Sequence, residues 1–182
     1  MNAKGTTTAL LVAAGLLPLP ACDSHVGVHT DSGHMTFDGD DLLLSGKNST
    51  KARVTPDGSL SIGGAGVAVT AAQRAELVRL QQVAHQMIQH GIDTGKAGAK
   101  VGVAAAGAAL ESLAKGDSRD VEATVEAKVN LVRQAAGRLC DDLAAVRDAE
   151  LAVASTLPAF GAYVTTSEAD IAGCRKDIAS GK

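Results

Sequence analysis

The sequence predicts an α+β fold, mainly α, in which a small N-terminal module of β-hairpins is followed by antiparallel α-helical hairpins. Three observations predict it. Between residues 34 and 69, short apolar runs alternate with clusters of Gly, Asp, Asn and Pro, the pattern of strands joined by tight turns. From Thr70 onward the apolar residues recur at steps of three and four, the period of a helix with one buried face. With no Trp, one Tyr and two Phe, the core must be Ala, Val and Leu, which bury little area each and favour long helices in extended contact.

A chain of 182 residues has room for a small module attached to a helical domain, and too little for two enzymatic domains. The formal net charge is −3, and removal of a leader that contains Lys4 and no acid makes it one unit more negative. Nucleic acid is therefore not an expected partner, because its binding depends on clustered cations and stacking aromatics.

Residues 1–21 read as a signal peptide: a modest positive start at Lys4, an apolar run from Thr6 to Leu17, then LPLPAC ending at Cys22. The run is too short to cross a bilayer with ordinary flanks. Leu19 and Ala21 occupy the positions of a bacterial lipobox that precede the modified cysteine, while Pro20 departs from the usual pattern. The expectation is a periplasmic protein whose partner is the membrane, through a lipid anchor on Cys22. An ordinary secretory leader ending in a chance cysteine is the alternative.

Residues 22–33 read as a polar tether. His25, His29 and His34 stand among Asp23, Asp31, Asp38, Asp40 and Asp41. Imidazole and carboxylate together suit Zn or Cu, and alternate residues of an extended segment share a face, so the three histidines form a candidate metal site. The competing reading is a solvated linker whose histidines merely titrate, since the spacing matches no closed site.

The β module spans 34–69, with strands expected at His34 to Phe37, Asp41 to Leu44, Ala52 to Thr55, Leu60 to Ile62 and Gly66 to Val69. Pro56-Asp57-Gly58 is a turn on chemical grounds, because proline presets the first angle and glycine accepts a positive one. Gly63-Gly64-Ala65-Gly66 is not read as a phosphate loop, because a third spaced glycine and an immediate helix are missing. Asn48-Ser49-Thr50, although an acceptor sequence for glycosylation, is read as a loop.

The helical domain spans 70–182. Thr70 and Gln73 have capping-box spacing, and Leu77, Leu80, Ala84, Met87 and Ile88 mark the first buried stripe. His85 and His90, five apart, are too poorly spaced for shared ligation and read as ordinary helix-face residues. Thr55-Pro56-Asp57-Gly58, the glycine hairpin after it, Ala71-Ala72-Gln73-Arg74 and Ile92-Asp93-x-Gly95 together resemble the YggN-like family of proteobacterial envelope proteins. The resemblance covers residues 50 to 115 and, loosely, the cysteine-bearing end. It implies a leader, a short β segment and a long helical tail; it implies no catalytic residues, and this chain's helical half is shorter than the family's.

Gly91, Gly95, Gly98, Gly102, Ala105, Ala109 and Ser112 step by four and three and are expected to form a seam for close helix contact. Its expected partner is the stripe Val125, Val129, Val132, Ala136, Leu139, Leu143 and Val146, reached through a break at Lys115 to Ser118. A membrane or partner groove is the alternative use of the glycines. A last break falls at Pro158 to Thr166, after which Ser167 and Asp170 cap a final helix. The sequence midpoint of Cys140 and Cys174 is residue 157, beside Pro158, so an exported protein would most simply pair them in a disulfide; a redox pair, or Cys22 bonded to one of them if it carries no lipid, are the competing readings.

No catalytic constellation emerges, and no cofactor is expected. The carboxylates lie on solvent-facing helix positions without the apolar surroundings that tune one for acid catalysis. The expected role is a noncatalytic, membrane-tethered envelope protein acting as a structural or interaction module, with an envelope protein as partner. The alternative is a binding protein for a metal ion or a small apolar ligand.

Overall fold

The computed structural model describes residues 27–46, 50–115 and 119–180. Six strands form one antiparallel sheet in sequence order: β1 (Gly27–Thr30), β2 (Gly33–Asp38), β3 (Asp41–Ser45), β4 (Ala52–Val54), β5 (Leu60–Ile62) and β6 (Ala65–Val67). Helices α1 (Ala71–Lys115), α2 (Arg119–Thr156) and α3 (Glu168–Ser180) follow, with a 3-10 segment at Pro158–Tyr163 before α3. The α+β class and the order of strands before helices are those the sequence predicts.

Alternation places Met35, Leu42, Leu44, Ala52, Val54 and Leu60 on one sheet face, and the register pairs Met35 with Leu44 and Leu42 with Val54. That face packs against the stripe Leu77, Leu80, Ala84 and Met87 of α1 and against Val146, Ala149 and Val153 of α2. Phe160, fully buried, and Tyr163 close the end of the core from the 3-10 segment. Loss of this apolar surface from water is the main term holding sheet and helices together, at about 25 cal/mol per Å².

The sheet meets α1 through Val54 to Arg74. The Gly58 N–H donates to the Thr55 carbonyl at 2.9 Å, closing the turn, and Gly58 has φ +75°. Arg74 reaches back from α1 to the Asp57 carbonyl at 3.2 Å and Ser59 Oγ at 3.1 Å. The capping box forms as expected: Thr70 N–H donates to Gln73 Oε1 at 2.9 Å, and Gln73 N–H to Thr70 Oγ1 at 3.3 Å. The Gln73 amide also donates to the Thr156 carbonyl at 2.7 Å, fastening the start of α1 to the end of α2.

Two expectations are corrected. The polar segment 22–33 is not all tether, since Gly27–Thr30 is strand β1, paired with β2, and Val28 packs against the core. Its anchors are far off in sequence. Thr30 Oγ1 donates to the Thr165 carbonyl, while the Asp31 N–H and Ser32 Oγ donate to the Asp170 carboxylate at 3.1 and 3.2 Å. A local pattern cannot reveal partners more than a hundred residues away. The signal peptide, Cys22, His25 and the Asn48-Ser49 part of the loop lie outside the described residues.

The glycine seam is the second correction. The two helices pair antiparallel across the expected break, but a Cβ built at Gly91, Gly95, Gly98 or Gly102 meets nothing within 4 Å. These glycines do not bring backbones together. Buried side chains in α1 end at Ile88, and those in α2 begin at Cys140. Beyond them the paired helices continue as an arm that, among the described residues, buries no side chain fully. At about 1.5 Å per residue, the 45-residue α1 is about 67 Å long, and only its first half rests on the core.

Candidate functional site

The candidate metal ligands come together only in part. Antiparallel register sets His29 of β1 opposite His34 of β2, with ring centroids 5.2 Å apart and planes inclined by 22°. Short hairpins put such residues side by side on one face. Two imidazoles are half of a tetrahedral zinc shell. Among the described residues, no three His, Cys, Asp or Glu side chains converge.

A histidine–carboxylate contact arises elsewhere. His90 Nδ1 lies 2.7 Å from Asp142 Oδ2, joining α1 to α2 where the core gives way to the arm. His90 is therefore more than a helix-face residue. His90 and Asp142 each stand twenty-six residues from Gly116, in the break between the helices, so mirror pairing across that break was the signal. As a dyad it could orient an imidazole for base catalysis, which also needs a nucleophile within hydrogen-bond reach. Among the described residues no serine, threonine or cysteine is hydrogen-bonded to it. His85, five residues earlier, meets the Phe37 ring edge-on at 5.5 Å.

Glu150 on α2 is a fully buried carboxylate. Its Oε1 accepts from the Thr165 N–H at 3.0 Å and from Thr165 Oγ1 at 2.6 Å, and Oε2 accepts from the Thr166 N–H at 3.1 Å. Burial pushes the carboxyl above the ordinary carboxylate range, against the opposing pull of these hydrogen bonds. The cage leaves the carboxylate no approach to an outside molecule. It pins the loop before α3 to α2.

Cys140 and Cys174 form the disulfide, with Cα atoms 5.7 Å apart, and hold α3 along α2. Two apolar cavities lie between α1 and α2 where α3 borders them, through Cys174 and Ile178. One, of about 340 Å³, is lined by Met87, Ile88 and Ile92 of α1 and by Leu139 and Leu143 of α2, with Cys174 beside them. The other, of about 430 Å³, lies farther along the arm between Gly98, Val101 and Gly102 of α1 and Val129, Val132 and Ala136 of α2. Both fall in the size range of small-molecule sites. Gly91, Gly98 and Gly102, expected to permit close contact, instead border this open space.

Among the described residues no helix is long and apolar enough to cross a membrane. No family model, curated protein or solved structure matches the chain.

Proposed function

We propose that the chain is a noncatalytic envelope protein of the YggN-like kind, tethered to the membrane through lipid on Cys22, whose helical arm is an interaction module. The observation that carries this reading is the arm, which projects past the core with Val103 and Leu110 of α1 and Leu131 of α2 exposed at 76%, 71% and 65%. Large apolar side chains exposed along a long lever that carries no buried core among the described residues suit docking better than chemistry. The lipobox-like LPLPAC supplies the address, and a disulfide fits an oxidising compartment. Two measurements test the reading together. Mass spectrometry of the protein from bacterial envelopes should find mature Cys22 acylated, and crosslinkers placed on the arm should capture one defined envelope protein. An unmodified, soluble product would overturn the tether.

A second reading, a binding protein for a small apolar ligand, is favoured by the two cavities beside α3. A metal-binding role rests on His29 and His34, with His25 as the further donor. Titration with Zn should then show loss of binding in His29→Ala and His34→Ala alike; binding that ignores both substitutions would remove it.

A further inference from the structure

We propose that the two apolar cavities between α1 and α2, both bordered by α3, together hold one long acyl chain carrying an anionic head, the chemistry of a free fatty acid. It rests on the apolar-ligand reading and names the ligand class. An interior helical glycine costs about 1 kcal/mol relative to alanine, and α1 places Gly91, Gly95, Gly98 and Gly102 along the pair. Close packing does not explain them, because the space where each Cβ would stand is empty to 4 Å. Gly91 borders the inner cavity and Gly98 and Gly102 the outer one, and what these three provide is room. Ile88 of the inner cavity and Gly102 of the outer one stand about 21 Å apart along α1 at 1.5 Å per residue. One acyl chain spans about 15 Å, half the hydrocarbon thickness of a bilayer.

The ends differ in polarity, which sets the direction of the ligand. Gly27 and Val28 of β1 border the inner cavity, and no charged side chain lines it. Only the methyl end of an amphiphile suits such a place. The outer cavity is bordered by Ile178 of α3 and by one charged group, Arg133, whose Nη1 donates to Asn130 Oδ1 at 2.8 Å. A guanidinium has further donors in a planar fork that matches a carboxylate. The head of the ligand belongs there, at the open end of the arm.

The test uses protein purified from envelopes, with displacement of a dansylated fatty acid as readout and palmitate and hexadecanol as competitors. Palmitate should displace the probe at one site per chain. Gly98→Leu fills the outer cavity and should weaken palmitate at least about tenfold with the thermal midpoint unchanged or raised. Arg133→Gln should weaken palmitate about tenfold and leave hexadecanol unaffected. Equal loss for both ligands, or for neither, overturns the assignment of the head. Displacement by hexadecanol alone leaves the apolar-ligand reading standing and overturns the anionic amphiphile. No displacement by either removes both. Cys22→Ser should bind palmitate as the unaltered protein does. Binding only in that variant would mean that the chain's own acyl group fills the cavities, and binding only after a dimer dissociates would mean that a second copy does; either result overturns the proposal.

Discussion

Single side chains fix this molecule at places where local and distant parts of the chain meet. At Gly58 the φ of +75° and a Cβ that would fall 2.6 Å from the Arg74 carbonyl leave no room for a side chain. Gly58→Ala should therefore destabilise the protein by about 2 kcal/mol or more in denaturant unfolding. Glu150 carries a larger load. Replacing it by Gln sets an amide donor against the amide donors of the 165–166 loop, and a loss of about 3 kcal/mol is expected from urea titrations. Asp170 gives the pH dependence. Its modest burial raises the carboxyl, but hydrogen bonds from Ser167, the Asp31 N–H and Ser32 outweigh that and hold it below the ordinary range. A depressed carboxyl stabilises above its unfolded pKa of about 4, and the contribution is lost as pH falls through the lower folded value. Asp170→Asn should thus unfold more easily at neutral pH, by about 1 kcal/mol as for a lost cap, and should converge on the parent in acid. A constant difference down to acid pH would contradict the assignment.

At the scale of elements, the ease of reading depends on the range of the forces involved. Strands β2 to β6, the capping box at Thr70 and the facing ends of α1 and α2 at Lys115 and Arg119 are set by turn chemistry and helix periodicity within a few residues, and the sequence places all of them closely. Strand β1 escapes that reading because GVHT has little apolar pattern of its own and holds to the sheet partly through Thr165 and Asp170. The glycines of α1 carry the right period and the wrong inference. Period identifies a face; whether a neighbour touches that face is decided in three dimensions. The cysteines behave oppositely, since mirror symmetry about Leu157, beside the turn at Pro158, predicts their contact, and the disulfide closes a loop over a sequence separation of 34. Reducing it should cost about 4 kcal/mol, measurable as a lower unfolding midpoint in reductant. A reduced protein as stable as the oxidised one would mean that α3 is held by its apolar contacts alone.

For the whole molecule, stability should be graded along the helical pair. The core between the sheet, the first half of α1 and the second half of α2 holds the buried side chains, and the arm holds none among the described residues. Hydrogen exchange should accordingly show amides of Leu77 to Ile88 and Leu143 to Val153 protected to near the global unfolding free energy, and those of Gly91 to Gly107 exchanging through local opening. Palmitate, if it fills the cavities, should slow the latter set. By itself the sequence determined what rests on local chemistry: the class of fold, the turns, the caps and the helix ends. Only the tertiary structure decided that residues 27–30 belong to the sheet, that His29 meets His34 while His90 meets Asp142, and that Glu150 is caged. It also decided that the α1 glycines face open space. The physical reason is the same in each case, because a contact between residues distant in sequence exists only once burial of the apolar faces has brought their elements together.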